Sequence, residues 1–174
     1  MTAADISIRR ARPDDVEFLV ELVNDDDVRP FLGVRTAGDR DALLEEVERS
    51  EAEPASFGRY VIEVAGEAAG SLGFHVASAP NRIARLERLA VHPRFRGRRV
   101  ADEAARMFQH HLLVELGFHR LEMEIYGFNE RAQAHAERAG WVREGVKRRA
   151  YLRDGQWEDG VLYSLLREDL GSIA

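Results

Sequence analysis

The stretch Arg85–Leu116 constrains the fold of this chain more than any other part. It contains a strand-like run (Arg85–Val91), a stop at His92–Pro93, a basic turn with one glycine (Arg94–Arg99), and then a long amphipathic segment. A strand that leads through such a turn into a helix directs unpaired backbone N–H groups and the positive end of the helix to one place. This arrangement predicts a site for a phosphate or pyrophosphate group.

Periodicity predicts the elements on either side of this turn. In the strand, alternate residues share a face, which puts Glu87, Leu89 and Val91 on the same side. After the turn, six residues recur at helical spacing and predict a helix that packs one face on a sheet and stops at Gly117. These residues are Val100, Ala104, Met107, Phe108, His111 and Val114.

Length and composition indicate how many domains the chain forms and which kinds of functional site it can contain. The chain of 174 residues predicts a single domain, 1–174, with a full hydrophobic core. It has no cysteine, which excludes disulfides, thiolate metal sites and a cysteine nucleophile. His110 and His111 are adjacent and lack the i, i+4 spacing of a helical metal pair, so we expect no metal site.

The charge distribution bears on the partners. A formal net charge of −6 argues against general nucleic-acid binding. Arg94, Arg96, Arg98 and Arg99 nevertheless form a basic island, which is either a solvated charge run or an anion site. We favour the anion site because a glycine and a helix start coincide with it. No signal peptide or run of about 20 apolar residues is evident, so we expect a cytoplasmic protein without a membrane span.

The order of elements predicts the fold class. Helices are predicted to begin at Pro13, Asp39 and Asn129, in addition to the helix after the basic turn. Strands are predicted at Ile6–Arg9, Arg59–Ala65, Ala68–Val76, Ile83–Val91, Leu121–Tyr126, Trp141–Arg153 and Gly160–Leu166. Gly66–Glu67 and Asp154–Gly155 are expected to form hairpin turns. This α/β chain, of the α+β type, predicts a mixed, mostly antiparallel central sheet flanked by helices.

At this point the chain resembles the GNAT N-acetyltransferases. The segment Arg96–Ala101 falls on their [Q/R]-x-x-G-x-[G/A] signature, with Arg99 in place of the inner glycine. Asn129 and the turn Ala139–Trp141 also match, and the order of elements matches over nearly the whole chain. The resemblance therefore implies a GNAT-like fold and acetyl-coenzyme A as cosubstrate.

The resemblance also implies the residues that bind the cofactor. The backbone of Leu89, Ala90 and Val91 would pair with the pantetheine arm, as an added strand does, and polarise the thioester carbonyl. The pyrophosphate would be held by six residues: Arg96, Gly97, Arg98, Arg99, Val100 and Ala101. Asn129 is expected near the cofactor arm, although its position as a helix N-cap explains it equally well.

The resemblance gives one candidate catalytic residue. Many relatives have a glutamate on the strand before the pantetheine segment, so Glu87 is the candidate general base, acting through water. An ion pair of Glu87 with Arg85 or Arg88 is the alternative. Relatives often have a tyrosine and a serine where this chain has Ala136 and Ala132. The leaving thiolate would then be protonated by water or by a tyrosine, for which the candidates are Tyr126, Tyr151 and Tyr163.

The carboxy-terminal part bears on the acceptor. The segments Glu144–Tyr151, Asp154–Gly155 and Asp159–Tyr163 resemble the branch that contains the ribosomal-protein N-terminal acetyltransferases. The expected acceptor is therefore a protein N-terminus. A polyamine, amino acid or antibiotic is the alternative within the same enzyme class, and a non-catalytic acyl-coenzyme A sensor is the alternative outside it. Whether the chain forms a homodimer stays open.

Overall fold

The computed structural model describes residues 6–33 and 39–172. The described residues form two compact units. The first unit holds the residues up to His75 together with Leu86–Phe108, and the second holds Val76–Arg85 and the residues from Gln109 onward. The single domain expected from length stays a prediction.

The predicted order of strands and helices is confirmed. The strands are β1 (Ile6–Arg10), β2 (Phe57–Val64), β3 (Glu67–Ser78), β4 (Ile83–Val91), β5 (Arg120–Tyr126), β6 (Val142–Arg153) and β7 (Gln156–Leu166). The helices are α1 (Val16–Asn24), α2 (Arg40–Ala52), α3 (Val100–His110) and α4 (Glu130–Arg138). No helix in the described ranges is long and apolar enough to cross a membrane.

The sheet is mixed and mostly antiparallel, as predicted. Its strand order is β1-β2-β3-β4-β5-β7-β6. The strands pair antiparallel in β1–β2, β2–β3, β5–β7 and β6–β7. Strands β4 and β5 pair in parallel through Ile83–Arg85 and Arg120–Glu122. This parallel pair is possible because α3 supplies the crossover connection that two parallel strands require.

The core of the first unit forms where α1 and α2 pack near β2. Leu19, Leu43 and Val61 are completely buried there. The predicted N-cap of α2 is confirmed, because the side chain of Asp39 accepts a hydrogen bond from the backbone N–H of Ala42 at 2.9 Å. The acceptor satisfies one of the amide groups that a helix start leaves without a partner.

The hairpin turns differ slightly from their predicted positions. The β2–β3 turn is Ala65–Gly66, not Gly66–Glu67, since Val64 pairs directly with Glu67. Both turn residues have positive φ, 51° and 81°, as a two-residue type I′ turn requires. The Asp154–Gly155 turn is confirmed, and β7 begins immediately after it rather than at Gly160.

One predicted face is wrong, and the cause lies in the backbone of the helix that follows the basic turn. Val114 is exposed, whereas its spacing predicts a place on the apolar face of that helix. The chain forms a π-helical turn at His111–Glu115, and its wider hydrogen-bond spacing rotates the following side chains away from the predicted face.

We predict that Gly70→Ala destabilises the protein by about 2 kcal/mol, a typical cost of overpacking. A Cβ atom at residue 70 would lie well inside van der Waals contact with the backbone carbonyl oxygen of Ala90. Chemical unfolding measures the change. The matched control is Gly145→Ala, also in a strand, where an added Cβ meets nothing within 4 Å. Equal stability of the two variants would contradict the close approach of β3 and β4.

Candidate functional site

The basic turn, Arg94–Arg99, is fixed at its start by a hydrogen bond, and there is free space beside its glycine. A short 3₁₀ helix, Pro93–Phe95, begins it, and Nδ1 of His92 accepts a hydrogen bond from the backbone N–H of Arg94 at 3.3 Å. Gly97 has φ +75°, and a Cβ atom there would meet nothing within 4 Å. The buried Val100 then begins α3. The turn therefore leaves space beside the amino-terminal end of an 11-residue helix, where an anion is favoured.

Arg99 adopts the conformation that explains why the signature has glycine there. Its φ is +58°, in the left-handed region that residues other than glycine adopt at a cost of about 1 kcal/mol or more. Its side chain is exposed, and Nε lies 3.8 Å from Oδ2 of Asp102. The backbone of the turn thus keeps the glycine-like conformation although the residue is arginine.

The side chains of the basic island have acidic neighbours within the protein. Arg94 donates to Oε1 of Glu67 at 2.7 Å. Arg96 donates to the backbone carbonyl oxygen of Asp27 at 2.9 Å, and its Nη1 lies 3.6 Å from the Asp27 carboxylate. The exposed pair of Arg94 with Glu67 contributes little stability, so a phosphate can replace its carboxylate at low cost.

The predicted pantetheine segment is the last part of β4. Ala90 is buried and Leu89 is exposed, so the two neighbours face opposite environments. Directly after the segment, the backbone N–H of His92 donates to the carbonyl oxygen of Ala69 at 2.8 Å. Leu89–Val91 and Arg96–Ala101 belong to the same compact unit, as the signature requires.

Glu87 lies in a charged environment in the same unit. It accepts a hydrogen bond from Nη1 of Arg88, and its Oε2 is 3.5 Å from Nδ1 of His75. Burial acts to raise the pKa of Glu87, but the His75 hydrogen bond and the Arg88 charge outweigh burial and lower this pKa below its usual value. The ion pair with Arg88 that sequence left as an alternative is therefore formed, and the carboxylate is ionised at neutral pH.

A buried charge cluster behind Glu87 was missed by the sequence interpretation. Arg59 in β2 is completely buried, and its Nε lies 3.7 Å from Oε2 of Glu46 in α2. Glu46 also accepts a hydrogen bond from Nη2 of Arg88 at 2.8 Å through its other oxygen. The available signal was a single charged residue, Arg59, near the middle of the otherwise apolar Phe57–Ile62 run.

Asn129 lies in the second unit and caps α4. Its Oδ1 accepts a hydrogen bond from the backbone N–H of Ala132 at 3.1 Å, and its own N–H donates to the carbonyl oxygen of Tyr126 at 2.9 Å. The N-cap interpretation is therefore confirmed. Its predicted contact with the cofactor arm stays a prediction.

Two of the three candidate tyrosines hold their protons tightly. The Tyr151 hydroxyl donates to Oε1 of Glu124, and the Tyr163 hydroxyl donates to Oε1 of Glu137 at 3.2 Å. Burial and these carboxylate neighbours raise the pKa of both phenols. The ring of Tyr126 packs edge-on against Tyr151, with 5.3 Å between ring centroids. Both hydroxyls are thus proton donors to a carboxylate in the second unit.

Comparisons with known proteins agree with this architecture. The chain is 28% identical over 81 residues to YokL, an SPbeta prophage-derived uncharacterized N-acetyltransferase of Bacillus subtilis (strain 168). The match covers 47% of this chain and 46% of YokL, so it spans less than half of that relative.

Two solved structures show the likeness of the fold over nearly the whole chain. A chimera of spermidine N-acetyltransferase SpeG from Vibrio cholerae and hSSAT superposes with a TM-score of 0.84 at 18% identity, covering 95% of this chain and 98% of the chimera. RimL, a ribosomal L7/L12 α-N-protein acetyltransferase in complex with coenzyme A, gives 0.82 at 18% identity, covering 93% of this chain and 94% of RimL. At this identity the likeness establishes the fold alone.

The family model of the acetyltransferase (GNAT) domain matches residues 5–142, which include β4, the basic turn, α3 and Asn129. The match covers well over half of the chain and agrees with the sheet order and with the signature around Gly97. The chain therefore belongs to the GNAT acetyltransferase family.

Proposed function

We propose that this protein is an acetyl-coenzyme A-dependent N-acetyltransferase that moves an acetyl group directly to a primary amine. The observation that carries the proposal is the family match over residues 5–142, in which a strand, an open turn and a helix start lie in succession. Direct transfer needs no cysteine, and positioning two bound reactants can itself supply several kcal/mol.

The residues of the first unit fit the cofactor. Gly97 leaves open space beside the start of α3, and Arg99 has a left-handed backbone conformation, which glycine adopts without strain. The amides of Arg96–Ala101 would hold the pyrophosphate, and the backbone of Leu89–Val91 would bind the pantetheine arm. Acetyl-coenzyme A would supply the activated acetyl group as a thioester.

Glu87 is the proposed general base. It is ionised at neutral pH, as an ordinary glutamate is, and can accept a proton from the attacking amine through water, although its lowered pKa makes it a weaker base than an ordinary glutamate. The backbone N–H groups near Val91 would polarise the carbonyl that the amine attacks. Protonation of the departing thiolate is assigned to water or to one of Tyr126, Tyr151 and Tyr163.

A protein N-terminus is the proposed acceptor. The resemblance of Glu144–Tyr151 and of Asp159–Tyr163 to the N-terminal acetyltransferase branch supports this acceptor, and these segments form the hairpin β6–β7. An α-amino group has a pKa of about 8, so it needs less help to lose its proton than a lysine or a polyamine. A small amine is the alternative, as the name of the SpeG structure suggests.

Assembly and location remain proposals. Val142, Leu152 and Trp157 expose more than half of their surface on β6 and β7, and β6 is the last strand of the sheet. Apolar side chains on an edge strand favour pairing with another chain, which supports a homodimer. A cytoplasmic location stays a prediction from the sequence.

Titration calorimetry with acetyl-coenzyme A, followed by an assay of thiol release, tests the proposed function. The acceptor panel consists of peptides with a free N-terminus, the same peptides with a blocked N-terminus, and spermidine. We expect binding, and release with the free peptides only. Release with spermidine alone would favour the small-amine alternative, binding without release would favour a sensor, and absence of binding would contradict the whole proposal.

We predict that Arg99→Gly keeps acetyl-coenzyme A affinity within about threefold, whereas Arg99→Val lowers it. Glycine adopts the left-handed conformation of residue 99 freely, but a β-branched residue there is strained by at least about 1 kcal/mol. Calorimetry measures the affinity, and thermal unfolding should rank the variants in the same order. Equal affinity and stability of the Val and Gly variants would show that this backbone conformation is not required.

We predict that Glu87→Gln lowers kcat/KM by about 10²-fold, a typical contribution of a general base. Because the pKa of Glu87 is already lowered, the rise of the rate with pH should follow the acceptor amine, with a midpoint near pH 8 that the substitution leaves unchanged. Thiol release measured across pH tests this. Glu53→Gln, at an exposed ion pair of the same unit, is the matched control. Unchanged turnover of the Glu87 variant would leave Glu87 with the ion-pair role alone.

A further inference from the structure

The most unusual charged group of the molecule is Arg59. Its side chain is completely buried, and none of Nε, Nη1 and Nη2 has a hydrogen-bond partner among the described residues. Burial without hydrogen bonds is unfavourable for a charged group, so the burial of Arg59 lowers the free energy of unfolding. Burial lowers the pKa of Arg59 to about 10, which leaves the guanidinium charged at neutral pH.

Charges alternate in sign from Arg59 to Glu87. The guanidinium of Arg59 lies next to one oxygen of Glu46, at 3.7 Å. The other oxygen of Glu46 accepts a hydrogen bond from Nη2 of Arg88, and Nη1 of Arg88 donates to Glu87. His75 approaches Glu87 from β3 at 3.5 Å. The carboxylates of Glu46 and Glu87 therefore share Arg88, and Glu46 also has Arg59 as an ionic neighbour.

The sharing of Arg88 depends on the charge of Arg59. Without Arg59, the half-buried carboxylate of Glu46 would have Arg88 as its one cationic partner among the described residues, and Arg88 would be drawn toward it. Of the described residues that contact Glu87 now, His75 would then be the close partner that it keeps. With Arg59 present, Glu46 is compensated on both oxygens, and Nη1 of Arg88 is directed to Glu87.

We propose that Arg59 is a positioning residue that, through Glu46 and Arg88, fixes the place and the charge of the Glu87 carboxylate. This inference rests on the proposed function insofar as Glu87 is the general base. The series of contacts from Arg59 through Glu46 and Arg88 to Glu87, called the relay below, does not depend on turnover. The groups around Glu87 come from each neighbouring element: His75 from β3, Arg88 from β4, Arg59 from β2 and Glu46 from α2.

The test is a titration of the Glu87 carboxyl by carbon NMR of protein labelled at glutamate Cδ, with the signal assigned by its loss in Glu87→Asp. In Arg59→Met, the titration midpoint of Glu87 should rise by about one pH unit, because Arg88 is drawn to Glu46. In Glu46→Gln the midpoint should fall, because Arg88 then has only one carboxylate partner. Arg40→Met, which removes an exposed ion pair, is the control and should leave the midpoint unchanged.

The opposite signs exclude general loosening of the structure, and a second comparison separates positioning from the direct effect of the lost charges, which has the same signs. Both substitutions are repeated in Arg88→Met, where the proposal expects each shift to shrink to less than half, and shifts of unchanged size there would overturn it. A purely structural role would move the midpoint in both variants toward the ordinary glutamate value, in the same direction. Shifts of the same sign, or no shift in either variant, would overturn the proposal. Thermal unfolding shows whether Arg59→Met folds, and if it does not, the fall predicted for Glu46→Gln and its reduction in the Arg88→Met background test the relay.

The titration also separates this inference from the proposed function. It needs neither cofactor nor acceptor, whereas the base role of Glu87 is measured by turnover of Glu87→Gln. If the Glu87 midpoint shifts in opposite directions in Arg59→Met and Glu46→Gln while the turnover of Glu87→Gln is unchanged, the positioning role of Arg59 is supported and the general-base role of Glu87 is refuted. When both hold, Arg59→Met should lower kcat/KM without a matching change in acetyl-coenzyme A affinity, while the rise of the rate with pH still follows the acceptor amine.

Discussion

Arg88 has a left-handed backbone conformation in the middle of β4, and the arrangement of the first unit around the proposed site depends on it. The conformation costs about 1–2 kcal/mol for an arginine. It is held because the backbone carbonyl of Arg88 accepts a hydrogen bond from Ser71 at 3.2 Å and its guanidinium joins Glu46 and Glu87. The irregular residue separates the charged part of β4 from the Leu89–Val91 segment that follows.

A second residue in the left-handed region, Arg99, lies in the basic turn. Here the family signature has glycine, which adopts the left-handed region without strain, and the arginine adopts it as well. Both positions store strain, which is common where a backbone has to approach a ligand or direct a side chain. The two strained residues flank the segment that contains Leu89–Val91 and Gly97.

Local signals allowed much of the fold to be predicted. Asp39 and Asn129 cap helices as expected, and the Asp154–Gly155 pair forms its hairpin turn, because these side chains and turn residues act on their own backbone. The cofactor-binding segments were predicted from the resemblance to the GNAT family, and their contacts with the cofactor stay a prediction. The conformation of Arg88 and the burial of Arg59 could not be predicted, because each depends on partners far away in sequence.

We propose that the end of β4, the basic turn and the start of α3 together bind one coenzyme A molecule. Amide chemical-shift mapping by NMR, with coenzyme A added to ¹⁵N-labelled protein, tests this proposal. Within the first unit, we expect the largest shifts at Leu89–Val91 and Arg96–Ala101, while the amides of α1 and α2 change little. Large shifts confined to other elements, with those two segments unaffected, would contradict it.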